Sequence, residues 1–207
     1  MPSIAIIGTA GRKQSAPLLN RDSFERMCAA VRICAQKLVG ARPWRAVSGG
    51  AAFADHCAVR LFLDGTATEL LLELPAEMLP DGSLIDTGVV DFVRNPGGTL
   101  NYYHRSFAAK LGHDPRADFI AVRARPGCSL RVTPGLHARN KQVAQADHCI
   151  ALTFGQGGLV ADGGTAFTMG LFLRKGIGTS VHVDLNSFQA FSPARVADSN
   201  PTANRRR

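Results

Sequence analysis

The sequence predicts an α/β protein with a Rossmann-like parallel sheet that has helices on both faces. Short apolar runs bounded by glycine or proline alternate with longer runs in which apolar residues recur at helical spacing. Parallel strands need connections of helix length, and strands covered on both faces are apolar throughout. This alternation predicts parallel strands joined by helices, with an insertion before the second half of the fold.

The first half of the chain predicts three strands and two helices. The strands are the runs SIAIIG, WRAVSGG and TELLLEL. The first helix covers DSFERMCAAVRICAQKLVG, where Asp22 or Ser23 is the expected cap and Gly40 the expected end. The second helix follows the glycine pair of the second strand.

Residues 79–114 interrupt this alternation and are interpreted as an insertion within the domain. Only LNYYHRSFAAKLG has a helical pattern there, and the following run, DFIAVRA, is expected to be a strand. A loop of this length in a compact α/β protein is usually functional.

The last third of the chain is expected to complete a single domain over residues 1–191. It predicts the helix LHARNKQVAQA, the strand DHCIALTFG, the helix GGTAFTMGLFLRKG and a final strand, TSVHVDL. The polar composition and three closing arginines predict a flexible basic tail at 192–207.

The composition is typical of a soluble cytoplasmic protein. Its net charge of +8 favours polyanionic partners such as nucleotides and nucleic acids without identifying one. Five cysteines without a Cys-x-x-Cys pair favour a reducing compartment over disulfides. No apolar run approaches the ~18 residues of a membrane span, so no membrane partner is expected. The two His-Cys pairs consist of adjacent residues that point to different faces, so no metal or other cofactor is expected.

Four loops are expected at the carboxyl edge of the sheet, where open α/β folds bind ligands. Their glycines allow close backbone approach, while helix N–H groups, hydroxyls and arginines can bind an anion. They match neither the Walker A nor the Gly-x-Gly-x-x-Gly pattern. The candidate ligand-binding residues of these loops are Gly8, Thr9, Gly11, Arg12, Ser48, Gly49, Gly50, Arg139, Asn140, Gly163, Gly164, Thr165 and Thr168.

The stretches GTAGR, VSGGAAFADHCAV, ARNKQVAQADHCIALTFG and DGGTAFTMGLFLRKG together resemble the SLOG superfamily. This group includes the Lonely Guy phosphoribohydrolases, the Rossmann domain of DNA-processing protein A and the YspA-like proteins, and the chain is most similar to the YspA-like branch. The resemblance covers most of the chain outside the insertion and tail. It implies a Rossmann-like fold whose glycine loops bind nucleotides or phosphorylated riboses. By this resemblance the site is lined by Ser48, Gly49, Gly50, Arg139, Asn140, Gly163, Gly164 and Thr165.

One departure from the Lonely Guy pattern bears on catalysis. By the same resemblance, Lonely Guy enzymes need a glutamate three residues after the Gly-Thr of the last loop. This chain has Thr168 at that position. Cleavage of an N-glycosidic bond needs a carboxylate near an oxocarbenium-like transition state. Asp55 is the first candidate catalytic residue, followed by Asp162 and by Asp86 and Asp91 of the insertion. The structural alternative for Asp55 is an acid that complements a helix dipole.

The insertion supplies three further candidates for ligand binding. Tyr102 and Tyr103 follow a glycine turn, and Arg105 comes two residues later. A tyrosine here would stack on a base and the arginine would bind a phosphate. The alternative is that Tyr103 packs the insertion onto the sheet.

One main prediction and two alternatives follow. The main prediction is a homo-oligomeric protein that binds a nucleotide or nucleotide-derived ligand, such as an ADP-ribose derivative or a cyclic nucleotide, without turnover. The first alternative is a nucleotide N-glycosidase or phosphoribohydrolase that uses Asp55 or a residue of the insertion. The second is a DNA-binding module similar to DNA-processing protein A, with nucleic acid bound through the basic tail.

Overall fold

A computed structural model describes residues 1–160, 163–192 and 195–196, which are built around a seven-stranded sheet. Its strands follow the order β4-β3-β2-β1-β5-β7-β8. Among the described residues, no helix has both the length and the apolarity needed to cross a membrane. In chain order the elements are β1 (Ser3–Gly8), a 3-10 helix (Lys13–Leu18), α1 (Arg21–Val39), β2 (Arg45–Ser48), α2 (His56–Leu63), β3 (Glu69–Leu74), α3 (Pro96–Leu111), α4 (Pro115–Arg123), β4 (Cys128–Val132), α5 (Leu136–Val143), β5 (His148–Thr153), β6 (Leu159–Val160), α6 (Gly163–Arg174), β7 (Ser180–Asp184), β8 (Gln189–Phe191) and β9 (Arg195–Val196).

The predicted parallel sheet is confirmed from β4 through β7, where each neighbouring pair is parallel. TSVHVDL is not the final strand, because a turn after Asp184 leads into β8, which pairs antiparallel with β7. Two residues of the predicted tail form β9, which pairs with β6 in a separate two-stranded sheet. The remainder of that tail from 193 to 194 and from 197 to 207 lies outside the described residues.

Helices on both faces of the sheet are also confirmed, because successive residues of β1 pack into two different cores. Ile4 and Ile6 belong to the larger core, which includes apolar side chains of α1 to α4. Ala5 and Ile7 belong to a smaller core with Met169 and other residues of α5 and α6. A strand whose two faces are both buried accounts for the continuous apolar run that predicts it.

The cap of the first helix lies two residues before Asp22, the nearer of the two expected caps. The Asn20 side chain accepts the Ser23 backbone N–H at 2.9 Å, and the Ser23 hydroxyl accepts the Asn20 N–H at 2.9 Å. This reciprocal capping box makes Asn20 the cap, so the assignment to Asp22 or Ser23 is wrong. The expected end is correct, because α1 stops at Gly40, whose φ is +67°.

The expectation of a strand at DFIAVRA is wrong, because this run lies largely in α4. Asp114 caps the helix by accepting the Arg116 N–H at 2.9 Å, and Pro115 occupies its first turn. The buried residues Pro115, Asp118, Phe119 and Val122 recur at helical spacing. The predicted insertion therefore lies within a longer β3–β4 crossover that spans residues 75–127 and contains both α3 and α4.

The strand order reverses direction between β1 and β5. From β1 the chain builds outward through β2, β3 and β4, then returns to the other side of β1 with β5. The loops that leave the carboxyl ends of β1 and β5 therefore diverge to opposite faces. Such a switch point is where open α/β folds form their ligand crevice.

Candidate functional site

A cleft of about 230 Å³ opens beside the carboxyl end of β1, at the switch point. Its walls come from the loops after β1 and β2, from α5, from α6 and from one residue of the β3–α3 loop. The cleft is lined by Ile7, Gly8, Ala10, Arg12, Ala51, Asp55, Phe92, Leu136, His137, Arg139, Asn140, Gly164, Thr165 and Thr168.

A buried ion pair lies at one wall of this cleft. Arg139 Nη1 is 3.6 Å from Asp55 Oδ2, and the two side chains are 9% and 5% exposed. The same carboxylate oxygen accepts the Ala51 N–H at 3.4 Å. A Cβ at Gly49 would lie 1.7 Å from Arg139 Nη1, so the absence of a side chain there lets the guanidinium lie against the β2–α2 loop. Arg139 Nε is buried without a hydrogen-bond partner among the described residues.

Burial is the largest influence on both members of the pair. It raises the pKa of Asp55, against the opposing effects of the Arg139 charge and of backbone hydrogen bonds from Ala51, Gly49 and Gly8. Burial also lowers the pKa of Arg139, and the nearby charge of Arg12 lowers it further. Arg12 lines the same cleft as Arg139. The two arginines therefore face one cleft that contains a single carboxylate among its described lining residues, Asp55.

Arg12 is held over two aromatic rings of the β3–β4 crossover. Its guanidinium carbon is 4.3 Å from the centroid of the Phe92 ring and 5.5 Å from that of Tyr103. Tyr103 also packs against the larger core, which agrees with the expectation that it packs the insertion onto the sheet. Tyr102 contacts Tyr103 edge-to-face at 5.2 Å but is 61% exposed and does not line the cleft.

The first turns of α6 close the cleft opposite the loop after β1. The Thr165 hydroxyl donates to the Gly8 carbonyl at 3.0 Å, which ties the helix to the end of β1. The Thr168 hydroxyl donates to the Gly164 carbonyl at 2.8 Å, and Asn140 Nδ2 lies 3.5 Å from the same oxygen. Gly163 is exposed at the start of the helix, next to the lining residues. The first backbone N–H groups of a helix have no partner within it, so they are available to an anion.

Two pairs of predicted loop residues shape the cleft without lining it, Thr9 with Gly11 and Ser48 with Gly50. Thr9 Oγ1 accepts the Gly11 N–H at 3.2 Å, which shapes the loop after β1. Ser48 Oγ accepts the Gly50 N–H at 3.1 Å and donates to the Asp55 carbonyl at 2.9 Å. Both hydroxyls make hydrogen bonds within the loops, so their role in this structure is to shape the walls of the cleft.

Arg105 is not brought to this cleft. It is exposed and lines a separate cleft of about 310 Å³ with Asp81, Asp114 and Arg116. The preceding residue, His104, is buried, and its Nε2 donates to the Gly50 carbonyl at 2.9 Å. Burial lowers the pKa of His104 to about 4, so the ring is neutral at pH 7 and its one proton lies on Nε2.

The whole sequence has a recognisable relative among known proteins. No protein-family model matches the chain. Over 155 residues it is 32% identical to Uncharacterized protein R261 of Acanthamoeba polyphaga mimivirus, an alignment that covers 73% of this chain and 81% of the viral protein. The two proteins belong to one family.

The fold of the present chain was also compared with solved structures. The X-ray structure of DNA processing protein A (DprA) from Streptococcus pneumoniae aligns over 87% of the chain with 12% sequence identity and a TM-score of 0.46. The alignment covers 50% of that chain, so the present protein spans about half of its length.

The other acidic candidates do not join Asp55 at the cleft. Asp86 accepts the Gly88 N–H at 2.8 Å, and Asp91 accepts the Val93 N–H at 2.8 Å, so both brace the loop between β3 and α3. Asp162 lies outside the described residues.

The structure adds six cleft residues that the loop patterns did not single out. Phe92 is the clearest example, because its sequence signal is no more than one aromatic residue in an irregular, glycine-containing segment. His137 had a stronger signal, since it lies two residues before Arg139 on the same helix. The six added residues are Ile7, Ala10, Ala51, Phe92, Leu136 and His137.

Proposed function

We propose that this protein binds a nucleotide or nucleotide-derived ligand in the switch-point cleft and holds it without turnover. The proposal rests on one observation: Arg12 and Arg139 face a cleft in which Asp55 is the one described carboxylate. Among the described lining residues the two guanidinium charges exceed the one carboxylate charge, so an anion is favoured there. Phosphate fits this environment because arginine binds its oxygens through charge-assisted hydrogen bonds.

The start of α6 is the proposed position of the phosphate. A Cβ placed at Gly164 would meet its nearest neighbour, Asn140 Nδ2, at 3.9 Å, and a Cβ at Gly163 would meet nothing within 4 Å. This open space allows phosphate oxygens to approach the backbone N–H groups of the first turn. The resemblance of the glycine loops to the SLOG superfamily supports the same arrangement and favours an ADP-ribose derivative or a cyclic nucleotide.

Asp55 is proposed to position Arg139 and not to cleave the ligand. Its Oδ2 already faces Arg139 and the Ala51 N–H, and its main-chain carbonyl accepts the Ser48 hydroxyl. A carboxylate bound in this way fixes the guanidinium for the ligand. The hydrolase alternative is kept for one reason, which is that Asp55 lies on the cleft surface with a pKa raised by burial.

The direct test changes charge at the start of α6 without changing its shape. Gly164→Asp should abolish the binding of AMP measured by isothermal titration calorimetry, because the new carboxylate repels the phosphate. Gly164→Asn is the matched control, because it has the size of aspartate without the charge, and it should retain measurable affinity for AMP. Both variants should melt near the wild-type temperature, because an acid in a first helical turn is favourable. Equal affinity of the aspartate variant and the wild type would exclude this loop from the site.

A further inference from the structure

The loop from residue 85 to residue 95 brings apolar side chains to the rim of the cleft. Val90 is fully exposed, Val93 is 60% exposed and Phe92 is 41% exposed. Phe92 is the member of this loop that lines the cleft. Apolar residues grouped on an exposed loop are unusual enough to suggest a binding role.

The loop is held in shape by Asn95, which is 7% exposed. Asn95 Oδ1 accepts the N–H groups of Thr87 at 3.2 Å and Gly98 at 3.0 Å. Asn95 Nδ2 donates to Asp86 Oδ1 at 2.6 Å and to the Val89 carbonyl at 3.1 Å. These bonds join backbone on both sides of Phe92, so the amide braces the loop that carries this ring.

Phe92 provides an aromatic surface beside the proposed anion site. Arg12 packs on its ring at 4.3 Å, and the Thr99 hydroxyl donates to its carbonyl at 3.3 Å. A second ring at the cleft belongs to His137, which contacts Phe167 edge-to-face at 4.9 Å. The cleft thus combines a cationic part with an aromatic part, and Arg12 contributes to both.

We propose that Phe92 is the specificity-determining residue of the cleft and that the heteroaromatic base of the ligand stacks on its ring. The inference rests on the proposed function and narrows it, because a sugar phosphate would use only the cationic part. A planar base fits the aromatic part, since ring stacking accepts any base through its π-face. The ligand class is therefore a nucleoside phosphate, with the base at Phe92 and the phosphate near Arg139 and α6.

Calorimetry with AMP and ribose 5-phosphate tests this assignment, because the two compounds differ only in the base. Phe92→Ala should weaken AMP binding roughly 5- to 150-fold, as expected for the loss of one stacked base. The same variant should lose no more than about twofold in affinity for ribose 5-phosphate, because Tyr103 still packs against Arg12. Phe92→Tyr, the matched control, should keep wild-type affinity for AMP. Phe92→Leu keeps apolar bulk without the ring and should behave like the alanine variant.

The possible results distinguish a failure of the base assignment from a failure of the proposed function. Equal loss of both ligands in Phe92→Ala would overturn the base assignment, because Phe92 would then act only by positioning Arg12. Unchanged AMP binding in both the alanine and leucine variants would overturn it as well. If the wild-type protein binds neither compound, the proposed function fails first. If it binds both and only the base assignment fails, the anion site stands.

Discussion

Replacement of Arg139 by methionine is the sharpest test of the buried ion pair. Methionine keeps an unbranched chain but removes the charge, which leaves the Asp55 carboxylate 5% exposed and without its cation. At the observed separation of 3.6 Å, an effective dielectric constant of about 20 gives an attraction of about 5 kcal/mol. Removal of one partner from a buried pair is known to cost about 3–5 kcal/mol. For a domain of this size the melting temperature should fall by roughly 6–20 °C.

The loss of stability should depend on pH in a defined direction. Burial raises the pKa of Asp55 in the folded protein, and removal of Arg139 should raise it further. When a folded-state pKa lies above the unfolded one, protonation favours the folded state, so the cost is greatest above the folded pKa. The deficit of Arg139→Met relative to wild type should therefore be larger at pH 7.5 than at pH 5. Urea unfolding followed by circular dichroism measures it at both values.

An exposed ion pair provides the matched control. Arg32 pairs with Asp64, and their side chains are 48% and 38% exposed, so Arg32→Met should cost no more than about 1 kcal/mol. Addition of Asp55→Asn to Arg139→Met should recover part of the loss, because no buried charge remains unpaired. An Arg139→Met loss in free energy of unfolding as small as that of Arg32→Met would show that the buried pair does not stabilise the fold. A loss that is the same at both pH values would show that the unpaired Asp55 charge is not its cause.

Three further outcomes are expected. Asn20→Ala removes the capping box of α1 and should cost about 1 kcal/mol in a thermal melt; an unchanged melting temperature would show that the cap does not stabilise the helix. Deletion of residues 197–207 removes three arginines and should reduce the slope of log K against log salt for DNA by up to about 3. That deletion should leave AMP affinity unchanged, and DNA binding that survives it unaltered in fluorescence anisotropy would remove the tail from the interface. Incubation with AMP or ADP-ribose should release no free adenine in chromatography, whereas release abolished by Asp55→Asn would establish the hydrolase alternative.

Local patterns were sufficient for most of the strands and helices. The run at β1 predicts its strand because both faces are buried, a property that a short apolar sequence records directly. The run at 118–124 could not be assigned in the same way, since a short apolar run fits either a strand or one side of a helix. The deciding signal was Asp114 followed by Pro115, a cap and first-turn pair that lies just before the run.

The site was predictable in its loops but not in its contacts. Gly49 and Arg139 both belong to the glycine-loop residues, and the sheet topology predicts that these loops share an edge. Nothing local indicates that the Arg139 side chain crosses the Gly49 backbone. The contact between Arg12 and Phe92 also joins residues far apart in sequence, and it depends on how the crossover packs.

The hydrogen bond from His104 to the Gly50 carbonyl has a consequence for local unfolding. The bond ties α3 to the loop after β2, so detachment of the crossover breaks a contact that holds this wall of the cleft. A ligand that binds only the closed arrangement lowers the population of such opened states by mass action. Amide hydrogens of α3, none of which lies in the proposed phosphate site, should therefore exchange with deuterium more slowly when a nucleotide is present.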